Sequence, residues 1–425
     1  MMPKLNRPIL ITGAVLCLVV IYFLPPINQR IAWRFSVIQA QVKYALFPPE
    51  EAVFIPQQQE VTIPELSTSP TPTPNDVSEV QVQPAIIDLP TAVPAQSEFV
   101  SLPSSVQLTG VRHEYQTWNN CGPANLAMAL SFWGWQGSQE DTAMLLKPNP
   151  RDKNVMPYEM ATYVQDQTEF EALVRVGGNL EVLKRFVASE IPIIIEKGFE
   201  GEDFDGWMGH YQLVTGYDDE LGQLTVQDSY IMPDMLLSYE QVMSFWRAFN
   251  FTYIVVYPPE REAEVMALLG ADAMEEDNYQ SAARLAETES HMLTGRDRFF
   301  ALFNRGTNLA ALHDYVGAAS FYDEAFAVYA SLEESERPWR AMWYQTGPYQ
   351  AYYFSGRYQD VIDLATTTLG AMSEPILEES YYWRALAREE LGDVEGAIDD
   401  LRASLKQHPD FAASLQQLTR LDAGS

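Results

Sequence analysis

The apolar positions along the chain follow several different patterns, and the first is an unbroken apolar run. Ile9 to Leu24 read ILITGAVLCLVVIYFL, with Lys4 and Arg7 before them. With its flanking residues the run reaches the ~20 residues that a membrane-spanning helix needs. A cleaved signal peptide has a similar core, but no small-residue cleavage motif follows this one. We therefore predict an uncleaved membrane anchor within residues 1–30.

The next stretch loses this continuous hydrophobicity. Residues 31–47 mix aromatic and aliphatic positions, which fits either an interfacial helix beside a membrane or a short helix packed elsewhere. Residues 48–105 are rich in Pro, Ser, Thr, Val and Gln, a composition that buries too little apolar surface to fold. We predict a juxtamembrane segment and an extended linker over residues 31–105, which would hold the next domain away from the membrane.

Residues 106–258 combine helical and strand-like patterns. A helix is predicted to begin near Cys121, in NCGPANLAMALSFWGW, and NLEVLKRFVAS has the apolar spacing of an amphipathic helix. Short β-rich runs bounded by Gly, Pro and Asp predict strands in IPIIIEKG, YQLVTGY, QLTVQDS and FTYIVVYPP. Helices followed by several strands indicate an α+β domain.

Residues 259–425 are helical throughout and repeat. An aromatic or valine recurs after 36, 43 and 36 residues, at Tyr279, Tyr315, Tyr358 and Val394. This spacing is near the tetratricopeptide period of about 34 residues. The last unit resembles the tetratricopeptide pattern at Trp383, Leu386, Gly392, Ala397, Leu401, Leu405 and Pro409. We predict a tetratricopeptide-type solenoid whose groove binds a protein partner or substrate, with an unrelated helical bundle as the alternative.

The charge of the chain excludes some partners. A formal net charge of −31 opposes binding to nucleic acid and to anionic lipid surfaces, so contact with a membrane must be hydrophobic. No motif indicates a cofactor or a catalytic metal. The acidic stretch FEGEDFD over residues 199–205 fits either a calcium site or a solvated loop. Positive charge is similar on both sides of the apolar run and does not set its orientation.

The chain has two cysteines, and they lie in different surroundings. Cys17 is inside the predicted anchor, whereas Cys121 is flanked by polar residues and followed by Gly122 and Pro123. Proline suits the first turn of a helix, which places the Cys121 thiol at a helix N-terminus. The helix dipole there favours the thiolate, the form that acts as a nucleophile. An inert buried thiol is the alternative.

A nucleophilic cysteine needs a base, and two of the five histidines are candidates. His210 begins an apolar strand in MGHYQLVTGYDD, so it can face the helix N-terminus that carries Cys121. His113 lies only eight residues before Cys121 and is expected at the surface of the approach loop. We predict His210 as the base.

Two further positions complete the predicted chemistry. Asp228 ends the strand after the His210 strand, where its carboxylate can orient the imidazole. Asp218 and Asp219 are rivals that read as the hairpin turn between these strands. Gln116 is a candidate side-chain donor to an oxyanion, beside the Cys121 backbone N–H.

The ordered set of residues carries a resemblance. Gln116, then Cys121 in Cys-Gly-Pro-Ala, then His210 with Gly-Tyr-Asp-Asp, then Asp228, resembles the bacteriocin-processing (double-glycine leader) peptidase superfamily, and more closely its stand-alone members. The resemblance implies a papain-like fold with these four residues as oxyanion donor, nucleophile, base and orienter. Gln116 stands five residues before the cysteine, whereas about six is usual. The chain has no multi-span region or nucleotide-binding motif, so leader processing is not inferred.

These patterns predict a membrane-anchored, extracytoplasmic cysteine peptidase that cleaves peptide bonds, followed by a helical repeat domain. Two alternatives remain open at the level of sequence. One is a transpeptidase or amidase that uses the same triad, because the same thioester forms in each reaction. The other is a catalytically inactive, peptidase-like scaffold for protein–protein interaction.

Overall fold

The computed structural model describes residue 42 and residues 53–57, 102–200, 206–372 and 374–424. Contacts divide the chain into two units, one of residues Met1–Pro56 and Pro103–Ser425 and the other of Gln57–Leu102. The predicted anchor lies outside the described residues, as do nearly all of the juxtamembrane segment and most of the linker. Among the described residues, no helix is long and apolar enough to cross a bilayer.

The α/β region is built on a sheet of seven strands whose paired neighbours are all antiparallel. The strands are β1 (Ser105–Gln107), β2 (Glu171–Arg175), β3 (Ile193–Phe199), β4 (Met208–Asp218), β5 (Gln223–Gln227), β6 (Met235–Ser238) and β7 (Tyr253–Tyr257). Their order across the sheet is β2-β7-β3-β4-β5-β6, and β1 also pairs with β4. The four runs predicted as strands correspond to β3, β4, β5 and β7.

Helices cover both faces of this sheet. They are α1 (Cys121–Phe132), α2 (Gln139–Leu146), α3 (Pro157–Gln167), α4 (Leu180–Ala188), α5 (Tyr239–Arg247) and α6 (Glu262–Leu269). One face packs against α1 to α3, and the other packs against α4 to α6. In α4 the apolar side chains at Val182, Leu183 and Phe186 lie on one side of the helix and are buried on the sheet.

Strand β4 is longer than its neighbours, and this leaves part of one edge uncovered. Along one side, residues 208–214 of β4 pair with β3 and residues 216–218 pair with β1. On the other side β5 covers only residues 213–218. Within the described part of the chain, the backbone of residues 208–212 therefore has no strand partner on that side, where the N-terminus of α1 lies. Asn125 of α1 donates to the carbonyl of Tyr211 at 2.9 Å and joins the helix to this edge.

The C-terminal region is helical. Its helices are α7 (Glu275–Met292), α8 (Gly295–Ala311), α9 (Tyr315–Ser331), α10 (Ala341–Tyr344), α11 (Gly347–Phe354), α12 (Tyr358–Gly370), α13 (Glu378–Glu390), α14 (Val394–Gln407) and α15 (Ala412–Gly424). Three of the four predicted repeat positions, Tyr315, Tyr358 and Val394, begin a helix. The remaining one, Tyr279, lies inside α7, and the neighbouring Asn278 side chain is bonded to the Val176 backbone.

The sequence Asp-x-x-Gly occurs at two of the four repeat positions, at Asp314 and Asp393, and caps a helix at each. Asp314 accepts a hydrogen bond from the N–H of Gly317 at 2.9 Å and caps α9. Asp393 caps α14 in the same way through Gly396. A Cβ atom at Gly317 would lie 2.3 Å from the Asp314 carboxylate, so a larger residue would push the cap away.

The helical region and the α/β region share a hydrophobic core. Trp207, next to β4, is 2% exposed and packs against Phe249, Phe300 of α8 and Tyr344 of α10. Phe54 also belongs to this core and is 6% exposed, although it lies in the predicted linker. The composition of residues 48–105 does not indicate this, because a single aromatic side chain hardly changes the average over a long polar stretch.

Candidate active site

Cys121 begins α1, as the sequence predicts. Asn119 adopts a left-handed backbone conformation with φ of 52°, and Asn120 occupies the N-cap position. No acidic residue lies in the first turn, so nothing there opposes negative charge on the sulfur. The residue as a whole is partly exposed.

The loop before Cys121 is held by side chains from α2 and its C-terminal end. Lys147 donates to the carbonyls of Trp118 and Asn119, at 3.2 and 2.8 Å. Asn120 donates to Gln139 at 3.1 Å. Lys147 is buried, and burial lowers its pKa to about 8, which the charges of Asp152 and Cys121 partly oppose. Its charge lies close enough to favour the Cys121 thiolate.

His210 lies on the uncovered part of β4, next to the sulfur. The ring and the Tyr211 backbone lie close enough to the Cys121 sulfur to lower the pKa of the thiol against its burial. The ring is 4% exposed and lies against Phe199, with ring centroids 5.2 Å apart. The strand edge, the helix end and the aromatic neighbour together fix the position of this ring.

Asp228 directly follows β5 and is fully buried. Its Oδ2 lies 3.2 Å from Nε2 of His210 and also accepts a hydrogen bond from Gln212. Its Oδ1 accepts from the backbone N–H groups of Tyr230 and Ile231, each at 2.8 Å. Since Nε2 of the ring is used by Asp228, Nδ1 is the nitrogen that remains for the sulfur.

The surroundings shift the pKa of each of these groups toward its charged form. Burial lowers the pKa of His210, but the charge and hydrogen bond of Asp228 and the hydrogen bond to Cys121 raise it to about 9. Burial raises the pKa of the Cys121 thiol, yet the hydrogen bond and charge of His210 outweigh this and lower it. The pKa of Asp228 is lowered despite burial, by the charge and hydrogen bond of His210. The arrangement favours a thiolate–imidazolium pair.

Gln116 is joined to this site through Ser229. The Gln116 N–H donates to the carbonyl of Ser229 at 2.8 Å, and the Ser229 hydroxyl donates to Oε1 of Gln116 at 2.8 Å. Asn125 donates to the same hydroxyl at 3.2 Å and to the carbonyl of Cys121 at 3.0 Å. With Oε1 occupied, the amide nitrogen Nε2 is the end of Gln116 that can donate to a substrate oxygen.

The rival residues lie in other places. His113 is partly buried and its Nε2 lies 3.0 Å from the carbonyl oxygen of Asp228, so the expectation of a surface histidine is wrong. Asp218 ends β4 and Asp219 lies in the hairpin turn, where it pairs with Lys184 at 3.0 Å. Residues 201–205, most of the acidic stretch that fits either a calcium site or a solvated loop, lie outside the described part of the chain.

Four polar residues of the site do not stand out in the sequence: Asn125, Lys147, Gln212 and Ser229. Their contacts depend on how α1, α2, β4 and β5 come together, and local spacing does not predict this. Ser229 and Gln212 offered a weak signal, since one follows Asp228 and the other lies two positions after His210, on the same side of the strand.

Part of the chain is similar to known proteins. Residues 103–254 match the family described as Peptidase_C39 like. Among solved structures, a C39-like peptidase from Bacillus anthracis is 17% identical, with a TM-score of 0.30. The alignment covers 36% of this chain and 96% of that one. The peptidase domain of Streptococcus ComA, a bi-functional ABC transporter involved in a quorum sensing pathway, is 19% identical and covers 35% and 98%, with a TM-score of 0.28.

A search of curated proteins finds no match. The family match agrees with the resemblance carried by the cysteine, histidine and aspartate motifs. It supports a domain of the bacteriocin-processing, papain-like cysteine peptidase superfamily over residues 103–254.

Proposed function

We propose that this protein is a cysteine peptidase that cleaves peptide bonds with Cys121 as nucleophile, His210 as base and Asp228 as orienter. The observation that carries the proposal is the series formed by Cys121 at the start of α1, the His210 ring beside it and the buried Asp228 carboxylate, whose Oδ2 lies 3.2 Å from Nε2 of His210. Such a series supplies the three functions that acyl transfer to a thiol needs: an activated sulfur, a proton carrier and a fixed ring orientation.

The reaction proceeds in two steps that return the enzyme to its starting state. The Cys121 thiolate attacks the peptide carbonyl carbon, and the imidazolium of His210 gives its proton to the leaving amine as the C–N bond breaks. This leaves a thioester and a neutral imidazole. The imidazole then takes a proton from water as the hydroxide adds to the thioester. The carboxylic acid product leaves, and the thiolate–imidazolium pair of Cys121 and His210 forms again.

The oxyanion that forms in each step needs donors. The backbone N–H of Cys121 lies at the start of α1, where helix geometry leaves it without an intrahelical acceptor. Gln116 supplies its amide nitrogen as the second donor, held by the Ser229 hydroxyl. Two donors aimed at the developing charge stabilise the tetrahedral intermediate more than the ground state.

The proposal extends to the rest of the chain. The helical region is of tetratricopeptide type, which the recurring caps at Asp314 and Asp393 support. It binds a protein partner or substrate. Residues 9–24 anchor the protein in the membrane as a single-pass helix, with the folded domains on the extracytoplasmic side. The uncharged apolar run in the sequence supports the anchor.

The first experiment is labelling of Cys121 with a thiol-reactive electrophile across a range of pH. An ordinary thiol reacts as it ionises near pH ~8.5. In the native protein we expect labelling to persist well below this value, and in His210→Ala to follow the ordinary thiol. His113→Ala is the matched control and should label like the native protein. Labelling that ignores His210 would favour the inactive scaffold instead.

A peptide-library screen then tests the activity itself. We expect hydrolysis by the native protein and none by Cys121→Ser, since a hydroxyl is a far weaker nucleophile in this setting. Product analysis in the presence of an added amine distinguishes hydrolysis from transpeptidation, because only the latter yields a new amide.

A further inference from the structure

A short segment that precedes the α/β region packs on the C-terminal helical region, although the two are far apart in the sequence. Residues Val53–Pro56 form neither helix nor strand. Within them Phe54 is 6% exposed while its neighbour Ile55 is 73% exposed. The contrast shows a segment that lies on a surface and inserts one side chain into it.

The Phe54 ring enters an aromatic pocket. It meets the Phe326 ring edge-on, with centroids 5.0 Å apart and planes at 82°, and lies 6.1 Å from the Tyr352 ring. A remaining cavity of about 50 Å³ lies beside it. Besides Phe54, the cavity is lined by side chains from α8, α9 and α12 and by residues between α9 and α11.

This geometry is that of a peptide seated in a groove. Several separate helices contribute to the pocket, so its shape depends on how the helical region is assembled. One extended segment fills it with a single aromatic anchor and leaves the adjacent side chain in solvent. Burial of a phenylalanine ring supplies a large part of the binding energy of short peptides that dock in this way.

We propose that the helical region carries a peptide-docking site for an extended segment with one aromatic anchor, and that Val53–Pro56 of this chain is its resident ligand. The docking is independent of the proposed peptidase chemistry. It means that, among the described residues, the Phe54 contact holds the N-terminal part of the chain on the helical region in addition to the covalent path through residues 57–102. Cleavage of the covalent path therefore leaves the N-terminal part bound.

The test uses the full chain with a site-specific protease sequence placed within Ser67–Pro74. After cleavage of the purified, detergent-solubilised protein, the two fragments should stay together during affinity capture through an N-terminal tag. With Phe54→Ala we expect the fragments to separate, with retention lowered at least tenfold, because the ring supplies the main contact. Ile55→Ala is the matched control, since its side chain is exposed, and should retain both fragments.

A competition experiment separates docking from association through the detergent. A synthetic peptide of residues 50–58, added in excess to the cleaved native protein, should release the N-terminal fragment, and the same peptide with Phe54→Ala should not. Fragments of the native protein that separate at once would overturn the proposal. So would fragments of the Phe54→Ala variant that remain together, because the contact would then lie elsewhere.

Discussion

At the scale of single residues, opposing influences act on the proton shared by Cys121 and His210. Burial favours the neutral form of both groups, whereas the buried Asp228 carboxylate and the mutual hydrogen bond favour the charged pair. The charged pair prevails, since the pKa of His210 is raised and that of the thiol is lowered. We therefore expect the pH range of the proposed activity to depend on the charge of Asp228.

Replacement of Asp228 by asparagine should narrow that range. In the native protein, the imidazolium of His210 persists up to pH about 9. The proposed activity should therefore be lost as the pH rises through this value. Without the carboxylate, the pKa of His210 should fall toward its ordinary value near ~6.5. We expect the alkaline limb of the kcat/KM profile to move to lower pH and the rate at pH 8 to fall at least about tenfold.

The control for this change is Asp219→Asn, which alters an aspartate in the adjacent hairpin turn that pairs with Lys184. It should leave the kcat/KM profile in place. An unchanged alkaline limb in Asp228→Asn would show that the carboxylate does not set the pKa of His210.

Gln116 should affect acyl transfer and not the nucleophilicity of the thiol. Loss of one oxyanion donor costs about 10²–10³ in rate in other acyl-transfer enzymes. We expect Gln116→Ala to lower kcat by such a factor while alkylation of Cys121, which forms no oxyanion, keeps its native rate and pH profile. Ser229→Ala should give a smaller fall in kcat, since the amide is still present but less well oriented. Equal losses in alkylation and in peptide cleavage would contradict this role.

At the scale of elements, β4 joins the two regions of the molecule. The segment leading into it carries Trp207, whose carbonyl accepts a hydrogen bond from Arg340 at 2.9 Å, and His210 follows three residues later. Gly209, between them, packs directly against Phe249 and Tyr344. The position of His210 thus depends on α10, which belongs to the helical region.

Gly209→Ala should therefore destabilise the protein. An added Cβ would lie 2.7 Å from Cζ of Phe249 and 2.9 Å from Cδ1 of Tyr344, closer than packed atoms approach. We expect a loss of about 1–3 kcal/mol in the free energy of unfolding, measured by denaturant titration. Gly370→Ala is the matched control, because a Cβ there meets nothing within 4 Å, and it should be neutral or slightly stabilising. Equal stability of the two variants would show that β4 tolerates displacement.

Sequence patterns predict elements well where the controlling interactions are local. The helix start at Cys121, the strands that carry His210 and Asp228, and the capped helices after Asp314 and Asp393 follow from turn, cap and period-two signals. The structure brings Cys121, His210 and Asp228 together because His210 lies on β4, Asp228 directly follows the neighbouring antiparallel strand β5, and α1 packs against β4.

Other features depend on contacts between distant parts of the chain, and sequence spacing does not reveal them. Phe54 finds its pocket more than 200 residues further along the chain, and Asn125 meets Ser229 only when α1 is placed against the end of β5. Tyr279 fits the repeat spacing yet lies inside α7, and the neighbouring Asn278 is tied to the backbone of the α/β region. In each case tertiary packing, and not local preference, decides the outcome.

At the scale of the whole molecule, a group of carboxylates lies between the α/β region and the helical region. Asp152 and Glu159 come from the first, and Glu378 and Glu379 come from α13. Burial raises the pKa of Glu159 to about 7, against a backbone hydrogen bond from Met156, and it also raises the pKa of Asp152 and Glu379. His408 lies 2.8 Å from Glu378, and this hydrogen bond raises the pKa of the histidine.

These shifts predict that the molecule is more stable at mildly acidic pH. Between its ordinary value near ~4.5 and its folded value of about 7, Glu159 binds its proton more firmly in the folded than in the unfolded state. Its contribution to stability therefore falls as the pH rises through this window. The contribution of His408, whose pKa is also raised, is likewise lost with rising pH. We expect the Tm to be higher at pH 5.5 than at pH 7.5.

Glu159→Gln isolates the share of this effect that belongs to one carboxyl. The amide oxygen of glutamine can still accept the hydrogen bond that the Met156 N–H donates to Glu159 at 2.7 Å, so the start of α3 should stay intact. The variant should gain of the order of 1 kcal/mol at pH 7.5, a rise in Tm of about 2 °C, and little at pH 5.5. Glu140→Gln, at an exposed glutamate of α2, should keep the native difference between the two pH values. If Glu159→Gln keeps the full native difference in Tm between pH 5.5 and pH 7.5, the pH dependence of stability does not arise from Glu159.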